Sequence, residues 1–188
     1  MRIFPTREEF RSLATTHTVV PVWAEMLADL ETPVAAYMKL VGDKPGFLLE
    51  SVEHGERWSR YSFVGRDPLA TLTLRDGRIM TTGRIPDDVP RDRGILAAME
   101  ELLRIYRAPL LPDLPPLQSG LVGYLGYDVV REIEKLGAAP NDDRGFPDAI
   151  ISVIGSLAAF DHWRQRAYML ESVSLVGLSE SEIDVAYD

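Results

Sequence analysis

The amino-acid sequence predicts a chain in which strands and helices occupy separate stretches, and three observations carry that reading. Phe47 to Thr82 runs in short apolar segments divided by turn residues, including Asp76-Gly77, a strong hairpin signal. Gly94 to Arg107 places Ile95, Met99, Leu102 and Tyr106 on one helical face. Ala149 to Phe160 is broadly apolar and alternates poorly, which suits a strand buried on both faces. Ala167 to Val173 then pairs with that strand as a hairpin around His162-Trp163-Arg164.

Taken in order, Thr6-Arg7-Glu8-Glu9 has the capping-box pattern and opens a short helix with Phe10, Leu13 and Ala14 inward. Val19, Val20 and Val22 suggest a brief strand around Pro21, and Trp23 to Leu30 reads as a short helical stretch. Thr32 and Pro33 fit the N-cap and first position of a helix through Leu40. Strands follow at 47–52, 59–64, 69–75 and 78–82; Leu72 and Leu74 alternate with Thr71, Thr73 and Arg75, the period-two sign of a half-buried strand. Residues 83–93 form a loop, and the proline-rich run from Pro109 to Pro116 ends the Gly94–Arg107 helix. Leu121 to Tyr124 is a strand, Asp128 to Leu136 a helix stopped by Gly137, and 139–147 a polar loop. Leu178 to Asp188 reads as the start of a helix, with Ser179 and Ser181 as caps.

Composition narrows the function classes. The 188 residues suffice for one sizeable domain with a full core, and 46% hydrophobic content is that of a globular protein. A net charge of -9 without a basic stripe argues against nucleic acid. With no cysteine, disulfides, thiolate nucleophiles and Cys-based metal sites are excluded, which fits a cytoplasmic location. The polar amino terminus does not read as a signal peptide, and no window approaches the apolar length of a membrane span.

The stretch that points to a site is Leu48-Leu49-Glu50-Ser51. Phe47 to Leu49 reads as a buried strand after Pro45-Gly46, and an acid beside a hydroxyl stands where the strand emerges. Such a pair can hold an ammonium group while the apolar run walls a pocket; the plainer reading is a strand that ends in polar residues. In the loop that follows, His54 to Trp58, an indole and a guanidinium could close over a small amphipathic ligand. The alternative is an exposed hairpin, with Trp58 on the surface or packed against another domain.

From Leu48 to Pro68, LLESVEHGERWSRYSFVGRDP resembles the first signature of anthranilate synthase component I, the large subunit that makes anthranilate from chorismate. Ser119 to Arg131 is similar to that family's glycine-rich segment, and Phe160-Asp161-His162 to its Asp-His at the end of a late strand. The resemblance implies an α+β fold, with antiparallel β-sheets packed with a few helices. It implies an L-tryptophan feedback-inhibitor pocket at these positions: Glu50 and Ser51 on the amino-acid head group beside Leu49, with Trp58, Ser59, Arg60 and Tyr61 on the wall.

It further implies that residues 1–188 are an amino-terminal regulatory domain, catalytically inactive alone, and that a carboxy-terminal domain binding chorismate and magnesium lies outside this chain. No cofactor is expected in these residues. The implied partners are that catalytic domain, a glutamine amidotransferase subunit (component II) and L-tryptophan. The parent enzyme would be a lyase. The same region of aminodeoxychorismate synthase component I, on the folate branch, is the near alternative, and a stand-alone amino-acid sensor the more distant one. Glu50 and the Ser59-Arg60-Tyr61-Ser62-Phe63 string favour the anthranilate branch.

Other motifs read as structure. Gly120, Gly123 and Gly126 have the wrong spacing for a dinucleotide fingerprint and more plausibly permit a close backbone approach or a bulge. Asp128 and Arg131, at helical spacing, read as a cap and surface pair. His17, His54 and His162 lack partners at metal-binding spacing, and Asn141 to Asp143 lack the remaining ligands of a calcium loop. Asp161-His162 reads as a structural turn, because neighbouring strand residues point to opposite faces. The chain shows no catalytic motif.

Overall fold

A computed structural model describes residues 2–50, 60–139 and 141–188. The chain forms two compact units, one of Met1–Pro68, Tyr106–Gly120 and Ile154–Asp188, the other of Leu69–Ile105 and Leu121–Val153. Both are built on antiparallel sheets, as expected for the α+β class.

In the first unit, β1 (Ile3–Phe4), β2 (Val19–Leu27), β3 (Gly46–Glu50), β4 (Tyr61–Arg66), β9 (Ser156–Asp161) and β10 (Arg166–Ser174) form a six-stranded sheet in the order β1-β2-β10-β9-β4-β3. Helix α2 (Pro33–Leu40) starts at Thr32, whose hydroxyl accepts from Ala35 N at 3.1 Å, with Pro33 in the first turn. Its Ala36, with Val41 just beyond it, joins a core with Val64, Ala158, Phe160 and Ala167, so the helix covers part of one sheet face. Helix α1 (Arg7–Ala14) has the expected capping box: Glu9 accepts from Thr6 N at 2.7 Å. Phe10 is buried and meets Tyr187 of α4 (Glu180–Tyr187) edge-on, with ring centres 5.1 Å apart.

In the second unit, β5 (Ala70–Arg75), β6 (Arg78–Gly83), β7 (Leu121–Leu125) and β8 (Ala149–Val153) form a four-stranded sheet in the order β6-β5-β8-β7. Asp76 and Gly77 both have positive φ, as the hairpin between β5 and β6 requires. Ala70, Leu72 and Leu74 are buried opposite Val153, Ile151 and Ala149, whereas Thr71 hydrogen-bonds Ser152 through its hydroxyl at 2.9 Å. Helix α3 (Ile95–Ile105) buries Ile95, Ala98 and Leu102, the face its period predicts. Its first two amides donate to the carboxylate of Glu132, Ile95 N at 2.8 Å and Leu96 N at 3.0 Å.

Several elements depart from the sequence reading. Trp23 to Leu27 continues β2 rather than turning helical, because all nine residues of Val19–Leu27 pair with Arg166–Ser174 and Trp23 stacks on Phe4. Tertiary pairing overrides local propensity there. Asp128 to Leu136 is not an α-helix: a 3₁₀ helix spans Tyr127–Glu132, and Glu132 is used to cap α3. The apolar run Ala149 to Phe160 is two strands in two sheets, β8 and β9, separated at Ile154-Gly155. An apolar run looks the same whether the strand stays in one sheet or leaves it.

Candidate binding site at the corner of the six-stranded sheet

Among the described residues β3 pairs with β4 alone and forms an edge of the sheet. It is therefore less buried than its apolar sequence suggests: Leu49 is 42% exposed and Glu50 is exposed, while Leu48 packs into the core under α2. Gly65, opposite Phe47, has no side chain for a reason; a Cβ there would lie 2.1 Å from the Phe47 ring. Phe47 thus lies across β4, which pins the register of the strand that carries Glu50.

That register sets Leu49 opposite Phe63 and Glu50 opposite Ser62. On its other side β4 pairs with β9, so Tyr61 lies opposite Asp161 and Ser62 opposite Phe160. Two polar pairs fix the corner. Arg60 grips Asp161, Nη2 to Oδ2 at 2.7 Å and Nε to both carboxylate oxygens at 3.1 and 3.2 Å. Ser62 Oγ and His162 Nε2 share a hydrogen bond of 2.8 Å.

Asp161 is only 2% exposed and also accepts from Trp163 N at 3.1 Å and Arg164 N at 3.2 Å, closing the turn into β10. Burial alone pushes its carboxyl up, but the Arg60 guanidinium and the turn amides outweigh that and hold it below its ordinary range. Arg60 in turn is raised, chiefly by its hydrogen bonds to Asp161. The guanidinium stacks over Tyr61 at 4.8 Å and Trp163 at 5.1 Å, and the Tyr61 ring tilts against Phe63 with centres 6.2 Å apart. The outcome is a half-buried cationic and aromatic platform on the face that Leu49 and Tyr61 share, at the end of an edge strand whose exposed Glu50 stands with Ser62 on the other face.

Of the predicted site residues, Leu49, Glu50, Arg60 and Tyr61 are brought to this corner on paired strands. Ser51, Trp58 and Ser59 lie outside the described residues. Asp161 and His162 do point to different partners, as adjacent strand residues should, and Asp161 closes the turn. The sequence did not show that Asp161 would meet Arg60 or His162 meet Ser62; about a hundred residues separate each pair, and only the β4–β9 register joins them. Among the described residues no group of three or more His, Cys, Asp or Glu could hold a metal ion. No helix among them is long and apolar enough to cross a membrane.

Comparison with known proteins gives a consistent set. No protein-family model matches the chain. It is 41% identical over 184 residues to anthranilate synthase component 1 of Mycolicibacterium smegmatis, covering 97% of this chain and 35% of that protein. It is 38% identical over 186 residues to the Arthrobacter globiformis protein of the same name, covering 98% of this chain and 35% of the relative. The chain therefore spans about 35% of the length of these curated relatives. The crystal structure of anthranilate synthase component I from Streptococcus pneumoniae TIGR4 superposes with a TM-score of 0.51 at 23% identity, over 86% of this chain and 34% of that one, a likeness of fold.

Proposed function

Since this chain is homologous to the amino-terminal 35% of anthranilate synthase component 1, we propose that it is the effector-sensing part of such an enzyme and that the effector is L-tryptophan. The parent enzyme would take chorismate and ammonia to anthranilate and pyruvate. Ammonia would come from glutamine through a component II partner, and the reaction would run in a magnesium-dependent carboxy-terminal domain. These residues would bind and position, without catalysis, in the cytoplasm.

The observation that carries the reading is the pairing of Leu49-Glu50 with β4, which sets Leu49 on the sheet face of Tyr61 and Phe63 and ends the edge strand in the exposed Glu50, so that a ligand would reach the carboxylate around the strand end. A carboxylate accepts an ammonium group well, and a rigid aromatic surface suits an indole. Arg60 serves as a clamp rather than a ligand for the effector carboxylate, since Asp161 takes its Nε and Nη2. Its guanidinium, stacked on Tyr61 and Trp163, holds those rings in place.

Calorimetric titration of L-tryptophan into the chain tests this. Glu50→Gln should weaken binding about tenfold or more, the effect of losing one charge-assisted hydrogen bond. Tight binding that ignores Glu50→Gln would overturn the assignment of the head group.

A further inference from the structure

We propose that the six-stranded sheet carries a second small-molecule site, at the end of β4 away from Glu50, shaped for an apolar α-amino acid. The argument starts from register. Arg66 of β4 lies opposite Ser156 of β9, and Ser156 lies opposite Glu171 of β10. These three side chains form a polar row across one face, because cross-strand partners point the same way. Two residues along each strand, on that face, the next row is Val64, Ala158, Met169 and Ala24.

The second row is apolar and two of its members are alanines, so the sheet surface dips there. Leu40 at the end of α2 stands on one side of the dip and Ile3 on the other. The resulting cavity holds about 230 Å³. That is below the roughly 300 Å³ at which drug-sized ligand sites begin, and it favours a molecule of amino-acid size.

The rim says what kind of molecule. Arg66 and Glu171 sit two strands apart, roughly 10 Å at the backbone, with Ser156 between them. Ser156 donates to Glu171 at 2.6 Å, which leaves the carboxylate with further acceptor sites. Arg66 reaches Leu40 O at 3.5 Å and its neighbour Asp67 at 3.3 Å, two long contacts for a group with five donors. An arginine and a carboxylate side by side at one end of an apolar recess match a zwitterion with an apolar side chain: carboxylate on Arg66, ammonium on Glu171, side chain against Leu40, Met169 and Ile3. A phosphate-bearing ligand would meet Glu171 as a repulsive neighbour. A purely apolar one would displace water from both charged groups without offering either a hydrogen bond in return.

All the lining residues belong to the first unit, and the inference does not rest on the proposed L-tryptophan site. The test is calorimetric titration of the chain with L-leucine and L-phenylalanine, then with N-acetyl-L-phenylalanine and L-phenylalaninamide. Both amino acids should bind saturably, and both blocked forms should bind about tenfold more weakly. Arg66→Gln and Glu171→Gln, with far-ultraviolet spectra confirming the fold, should each weaken L-phenylalanine about tenfold, whereas Glu50→Gln should leave it unchanged. Absence of saturable binding, or binding indifferent to Arg66 and Glu171, overturns the second site. Weakening by Glu50→Gln alone does so too, by placing the ligand at the other corner. Loss of L-tryptophan binding confined to Glu50→Gln would leave the proposed effector site standing whatever happens here.

Discussion

Gly123→Ala is a sharp probe of the second unit. Gly123 lies opposite Ile151 in the β7–β8 pair, and a Cβ there would fall 1.9 Å from the carbonyl oxygen of Ile150 and 3.0 Å from the Cα of Ile151. The obstacle is backbone, so no side chain can swing aside. Reaching ordinary contact at 3.4 Å from 1.9 Å means that β7 must withdraw by roughly 1.5 Å. A backbone hydrogen bond near 2.9 Å does not survive that stretch. Among the described residues β7 pairs with β8 alone.

Losing the bonds at the centre of a five-pair ladder, at about 1 kcal/mol each, and adding the strain of overpacking gives about 3 kcal/mol. Urea unfolding followed by far-ultraviolet circular dichroism reads the loss. Hydrogen exchange should localise it to the amides of β7 and β8. Gly137→Ala is the control: nothing lies within 4 Å of its added Cβ, and the change should stay within about 0.5 kcal/mol of wild type. Equal effects of the two substitutions would refute the close-approach argument.

Three further outcomes follow from the packing and the electrostatics. Leu102→Ala empties a fully buried position on α3 and should cost about 2–5 kcal/mol, while Leu103→Ala, at 53% exposure, should cost far less; paired denaturation curves decide it. Thr6→Ala removes half of the capping box on α1 and should cost about 1 kcal/mol, measurable in the same way. Asp161 has a folded-state pKa below its unfolded value, so its pairing stabilises the fold above the unfolded pKa and the benefit fades as pH falls through the folded one. Asp161→Asn should therefore be less stable than wild type at neutral pH, with the gap closing in acid. A gap that widens in acid would contradict the pairing.

Much of the fold could be read from the residues, and the failures share a cause. Local signals held where the deciding contacts are local: Thr6 to Glu9, Thr32-Pro33, Asp76-Gly77 and the Ile95 to Leu102 face. Reading failed where a distant strand decides. Trp23 to Leu27 is extended because β10 pairs along its whole length, and residues 149–160 divide because β8 and β9 serve different sheets. The binding corner is similar. Glu50 and Ser51 stood out as an acid beside a hydroxyl, but the Arg60–Asp161 clamp and the Ser62–His162 bond depend on pairing across about a hundred residues. A short polar stretch cannot carry that information.

The central claim is that L-tryptophan binds at the corner formed by β3 and β4. Amide chemical-shift mapping during titration with L-tryptophan tests it most directly, with Ser51→Phe run in parallel. The account predicts that the shifts gather on Leu49, Glu50, Arg60, Tyr61 and Ser62 and vanish in Ser51→Phe. Shifts centred on Arg66, Ser156 and Glu171, or a pattern unaffected by Ser51→Phe, would contradict it.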